Sequence, residues 1–93
     1  MAYQSINPNN GTTLQTFEHF SGVELEAALA TADTCFASWK RTSYAERAVV
    51  LSKAASLMRA HVDDFARLAT LEMGKRIEEA RGEVNFSADI LDY

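Results

Sequence analysis

Residues 21–39 read SGVELEAALATADTCFASW, and the architecture follows from them. Ser21 followed by Glu24 is a capping box: the hydroxyl accepts a free N–H of the first turn, and the carboxylate reaches back to the cap. Behind it, Leu25, Ala28, Leu29, Ala32, Phe36 and Trp39 recur at three- and four-residue steps. That places them on one stripe of an α-helix, predicted over 22–39. The same device at Ser43-Tyr44-Ala45-Glu46 opens a second helix, over about 44–61. Its stripe is Ala48, Leu51, Ala55, Met58 and Val62, flanked by Val50, Ala54 and Leu57. Lys40-Arg41-Thr42 links the two, its cations placed at the negative end of the first helix dipole.

Downstream, Asp63 and Asp64 complement the start of a third helix, about 63–73, with Phe65, Leu68, Ala69 and Leu71 facing inward. Gly74 closes it, because glycine adopts the left-handed conformation without a Cβ penalty. A fourth helix, about 76–93, begins with Glu78 and Glu79 in its first turn and carries Ile77, Ala80, Val84, Ala88 and Leu91 on one stripe. Upstream, Tyr3-Gln4-Ser5-Ile6 and Thr13-Leu14-Gln15-Thr16-Phe17 alternate partially with period two. Between them, Pro8 excludes helix at Asn7, and Asn10-Gly11 supplies a tight reversal. The expectation is a mainly α chain: an N-terminal β-hairpin over about 3–18, then about four helices. A two-stranded hairpin is barely stable alone, so it must lean on something.

Composition bounds the function. Ninety-three residues make one small domain. Nine basic against thirteen acidic residues leave a net charge of −4, which gives no electrostatic case for nucleic acid or anionic lipid. With 47% hydrophobic and 24% charged residues the chain resembles ordinary globular domains, against wholesale disorder. Apolar runs such as Ala27–Ala30 are too short to span a membrane. Met1-Ala2-Tyr3-Gln4-Ser5 lacks the basic start and apolar core of an export signal. One cysteine, Cys35, makes no internal disulfide. A reducing cytoplasm is the expected compartment.

No catalytic, cofactor-binding or metal-ligating residue emerges from the spacing. Cys35 has Thr31, Ala32, Ser38 and Trp39 as helical neighbours and no base at one turn, so it reads as a small residue beside the stripe. His19 and His61 lack a carboxylate at orienting spacing and read as surface residues. Glu72, Glu78, Glu79 and Glu83 look like a cluster. Arg76 precedes Glu79 by three residues and Glu83 follows it by four, the pattern of a solvated helix face. Gly74-Lys75 has no second glycine at P-loop offset and no Ser or Thr behind it, and no G-x-G-x-x-G follows a strand. Phe36 and Trp39 at helical spacing read as core rather than as a stacking platform.

The order of the parts carries a resemblance. Ser5-Ile6-Asn7-Pro8-Asn9-Asn10-Gly11 resembles the leading hairpin of the aldehyde dehydrogenase superfamily. An alanine-rich helix ending in Phe36-Ala37-Ser38-Trp39 follows, then Ala45-Glu46-Arg47, Leu71-Glu72-Met73-Gly74-Lys75 and Glu79-Ala80-Arg81-Gly82-Glu83-Val84, in the family's order. Thr70–Lys75 and Glu79–Val84 look most like its succinate-semialdehyde branch. The resemblance implies a parent α/β fold with a Rossmann-type domain, of which residues 1–93 form the N-terminal part. It also implies oxidation of a small aldehyde to its carboxylate with NAD or NADP, in a homo-oligomeric parent that binds neither nucleic acid nor membrane.

In that family a cysteine thiolate attacks the carbonyl and a glutamate activates water. Those parts lie downstream of the matched region, and Cys35 does not align with the nucleophile. The chain alone is therefore expected to be inert, to bind no cofactor, and to need the remainder of the parent enzyme as its partner. Arg76 departs from the family, which often has proline there, at the first helical position. The last stripe still runs at Tyr93, leaving Ile90, Leu91 and Tyr93 without cover, so a continuation is expected. Stripes without that cover should drive self-association. A free-standing helical interaction module is the competing reading, and a thiol enzyme built on Cys35 ranks last.

Overall fold

The computed structural model describes residues 2–93; Met1, which heads the N-terminal stretch read for an export signal, lies outside them. Strands β1 (Tyr3–Ile6) and β2 (Thr13–Phe17) form an antiparallel hairpin, pairing Tyr3 with Phe17 and Ile6 with Thr13 across an irregularity at Ser5/Ile6. The connection closes on its own side chains. Asn7 Oδ1 accepts from the Asn9 N–H at 2.9 Å, and Asn10 Oδ1 accepts from the Thr12 N–H at 3.0 Å. Gly11 takes the positive φ of 74° that the reversal requires.

Four helices follow: α1 (Gly22–Trp39), α2 (Tyr44–Ala60), α3 (Val62–Met73) and α4 (Ile77–Asp92). The hairpin and helices anticipated from the pattern are present. Both capping boxes form, with Ser21 N–H donating to Glu24 at 2.7 Å and Ser43 N–H donating to Glu46 at 2.6 Å. The serine oxygens accept the return bonds. These backbone bonds, and secondarily the serine hydroxyls, hold the Glu24 and Glu46 carboxyls below their ordinary value of 4.5. Bonds from Arg59 and Ser52 likewise hold Asp92 below 3.8. A depressed folded-state pKa adds stability above the unfolded value, and this is lost as pH falls through the folded one. Far-UV circular dichroism should therefore show helix loss setting in below about 4.5 and deepening towards lower pH. A helix signal flat across that window would contradict the caps' role.

Helix α4 is the centre of the packing, lying against α2 and α3. Its stripe enters both seams: Ala80 and Ala88 are completely buried, Val84 nearly so, opposite Ala55 of α2 and Ala66 of α3. Alanine at these crossings lets the helix axes approach closely. One expectation is overturned here. Phe65 and Leu68 do not face inward but are exposed, and Ala66 makes the buried contact. Ala66 and Ala69 are three residues apart on the side towards α4, and Phe65 and Leu68 fall on neighbouring faces of the same helix. Arg59 bridges α2 to Asp92 (2.5 Å) and Asp89 (2.9 Å) of α4, and Arg81 bridges α4 to Asp63 of α3 (2.9 Å). These pairs are partly exposed, so they set register more than they add stability.

The hairpin leans on the turn between α3 and α4. Ser5 Oγ donates to Glu72 at 2.6 Å. Pro8 Cγ lies 3.3 Å from where a Cβ on Gly74 would stand. Gly74 caps α3 at φ 72°, as its glycine suggested. Arg76 is the N-cap of α4 rather than its first helical residue, extended at φ −62° and ψ 135° with no side-chain cap bond.

Helix α1 buries no residue and packs along none of the other helices. The described residues form a slab of 47 × 37 × 15 Å, little more than one helix thick. Its radius of gyration is 17.3 Å, against about 12 Å for a compact domain of this length. Ile90 and Tyr93 stand exposed as expected, while Leu91 is half-buried. A globular domain closes two layers on one core. This is one layer.

Candidate functional site

The chemistry-bearing side chains lie apart. Cys35 is exposed on α1, in a shallow open depression bordered by Ala30, Thr31 and Thr34, none of which is a base. His19 stacks on the Tyr3 ring, centroids 4.2 Å apart, at the free end of the hairpin. His61 sits at the α2–α3 junction with Nδ1 3.4 Å from the Asp64 carboxylate. This corrects the sequence reading, which found no carboxylate at orienting spacing: the junction starts a new helix, so i+3 falls on the same face. Both groups are open to solvent with no third partner among the described residues, which makes a surface contact and not an acid–base relay.

The four glutamates also separate. Glu72 holds Ser5, Glu78 pairs with Arg81, Glu79 with Arg76, and Glu83 with Lys75. Among the described residues no group of three or more His, Cys, Asp or Glu is placed to hold a metal ion. The glycines do not fit a dinucleotide either. Gly11 lies in a hairpin turn, Gly22 and Gly82 inside helices, and the Gly74 turn is filled by Pro8. A pyrophosphate needs a glycine loop leading from a strand into a helix N-terminus, with free N–H groups.

One constellation escaped the sequence reading. The Arg47 guanidinium donates to the Trp39 carbonyl at 3.2 Å, the Lys40 carbonyl at 3.1 Å and Thr42 Oγ1 at 2.8 Å. It also lies 5.9 Å from the Trp39 ring and 5.8 Å from the Tyr44 ring. It satisfies the last carbonyls of α1 from the next helix, fixing the turn that joins them. Helix periodicity carries no signal for this, because the contact crosses a turn.

Comparison with known proteins identifies the family. The profile described as "Aldehyde dehydrogenase family" matches residues 1–93. A succinate-semialdehyde dehydrogenase [NADP(+)] of Deinococcus radiodurans is 40% identical over 91 residues, spanning 98% of this chain and 19% of that protein. The corresponding Escherichia coli enzyme is 37% identical over 92 residues, spanning 99% of this chain and 19% of the relative. The crystal structure of succinic semialdehyde dehydrogenase from Streptococcus pyogenes with NADP+ superposes at a TM-score of 0.90 and 35% identity, covering 99% of this chain and 20% of that one. The chain thus spans about a fifth of the length of the relatives it matches. With the profile matched over every residue and the same hairpin-and-helix layer found in solved relatives, the chain belongs to the aldehyde dehydrogenase family.

Proposed function

We propose that these residues form the N-terminal layer of the cofactor-binding domain of an NADP+-dependent succinate-semialdehyde dehydrogenase, whose reacting groups lie outside this chain. The carrying observation is the 40% identity to such an enzyme over 91 residues, aligned with only 19% of it. The one-layer slab supports the same reading, since a layer whose apolar residues lack a facing layer is part of a larger domain. The hairpin, the Gly74 turn and the Arg47 clamp then shape and orient that layer. Oxidation of the aldehyde and reduction of NADP+ belong to the whole enzyme.

Alone, the chain should not turn over. Cys35 is the one thiol of the sequence and has no base beside it to raise its thiolate fraction. Purified chain mixed with succinate semialdehyde and NADP+ should form no NADPH above a protein-free blank, by absorbance. Turnover that vanishes in Cys35→Ser would overturn this assignment.

A further inference from the structure

Helix α1 buries no residue, so its direction depends on what holds its two ends. Its N-terminal end follows the hairpin through the irregular stretch 18–21. A link of that length reaches up to about 14 Å when extended, so it limits how far α1 travels without fixing where it points. The C-terminal end is held differently. Among the described residues, the side-chain hydrogen bond that ties α1 to an element beyond the 40–43 turn comes from Arg47 of α2.

Arg47 is anchored in the first turn of α2, where its N–H donates to the Ser43 carbonyl at 3.1 Å. Its half-buried side chain reaches back over the turn. Nη2 spans the Trp39 and Lys40 carbonyls, acceptors that the end of α1 leaves free, while Nε donates to Thr42 Oγ1. Thr42 Oγ1 in turn donates to the Trp39 carbonyl at 2.7 Å. The guanidinium also lies against the Trp39 and Tyr44 rings, on the last residue of α1 and the first of α2. A planar fork held by carbonyls and rings together fixes a direction, which a point charge does not. The lever is long. At about 1.5 Å per residue, Glu26 lies about 20 Å along the helix from Trp39, so a rotation of about 20° at the turn would carry it about 7 Å.

We propose that Arg47 is a latch: it locks α1 at one angle to the α2–α4 layer, and without it α1 swings as an intact helix about the 40–43 turn. The latch aims the apolar stripe of α1 within the chain itself, ahead of any layer that covers it. The claim concerns the conformation of the 93-residue chain, so it can fail while the dehydrogenase reading, which is read by turnover, stands.

Double electron–electron resonance reads that angle. Spin labels at Glu26→Cys and Asn85→Cys, exposed positions on α1 and α4, are placed in a Cys35→Ser background and diluted with unlabelled chain. The parental distance distribution should be single and narrow. Arg47→Gln should broaden it by about 5 Å or more, given the length of the lever. Its far-UV circular dichroism should stay unchanged, because α2, α3 and α4 keep their alanine seam. Thr42→Val, which removes the hydroxyl between Arg47 and the Trp39 carbonyl, should broaden the distribution in the same sense. Lys40→Gln takes a cation from the same end of α1 but leaves the fork in place, and should keep the parental width. A parental distribution already as broad as that of Arg47→Gln would overturn the proposal. So would parental width in either Arg47→Gln or Thr42→Val, or equal broadening in Lys40→Gln. Loss of helix signal in Arg47→Gln would overturn it as well, since Arg47 would then support the whole fold and not one angle.

Discussion

Ala80→Leu is expected to force α4 away from its neighbours and to lower stability by about 1–3 kcal/mol, the usual cost of overpacking a filled site. Ala80 has no exposed surface, and the buried set around it is three alanines and one valine. A seam built from methyl groups has no large side chain that can shrink or swing aside, so the helices themselves must move. For a chain of this size, each kcal/mol moves the thermal midpoint by roughly 4–8 °C. Melting followed by circular dichroism should show the drop. Leu68→Ala, on an exposed position of α3, should change the midpoint little. An unshifted midpoint in Ala80→Leu would mean that the alanine seam does not hold the helices together.

The second large effect is a contrast between two glycines. Gly74→Ala should destabilise by about 1–2 kcal/mol, the cost of holding an L-residue in the left-handed region. Its φ is +72°, and the new Cβ would stand 3.3 Å from Pro8 Cγ, tight enough to push at the docked hairpin. Gly82→Ala should stabilise by about 0.5–1 kcal/mol, because Gly82 is inside α4 with nothing within 4 Å of the added Cβ. Urea unfolding of the two variants reads both signs. Equal effects of the same sign would contradict the turn geometry.

How much was legible beforehand depends on whether the signal is local. The Ser21 and Ser43 caps, the Asn10-Gly11 reversal and the Gly74 stop are set by neighbours within a few residues, and the structure forms each of them. The α4 stripe was readable because one helix packs against two partners, so its apolar face is broad and regular. On α3, large apolar residues suggested the inward face, whereas the close crossing selects Ala66 and leaves Phe65 and Leu68 outside. Size of side chain and depth of burial separate when helices meet on alanine. The docking of Ser5 on Glu72 spans 67 residues, and Arg47 reaches across a turn. Neither leaves a periodic trace. Absence of cover on α1 could not be read from its stripe, which looks the same whether or not a partner is present.

The central claim is that this layer supplies cover and orientation, while the chemistry and the choice of cofactor reside elsewhere. The most direct measurement exchanges residues 1–93 for the matching segment of the Escherichia coli relative, to which the chain is 37% identical over 92 residues. Steady-state kinetics then compare the chimera with its parent. The account predicts that kcat/KM for succinate semialdehyde and the NADP+/NAD+ preference stay within about threefold of the parent, a difference under 1 kcal/mol. A chimera that folds and assembles like its parent, yet loses turnover or reverses its cofactor preference, would contradict it.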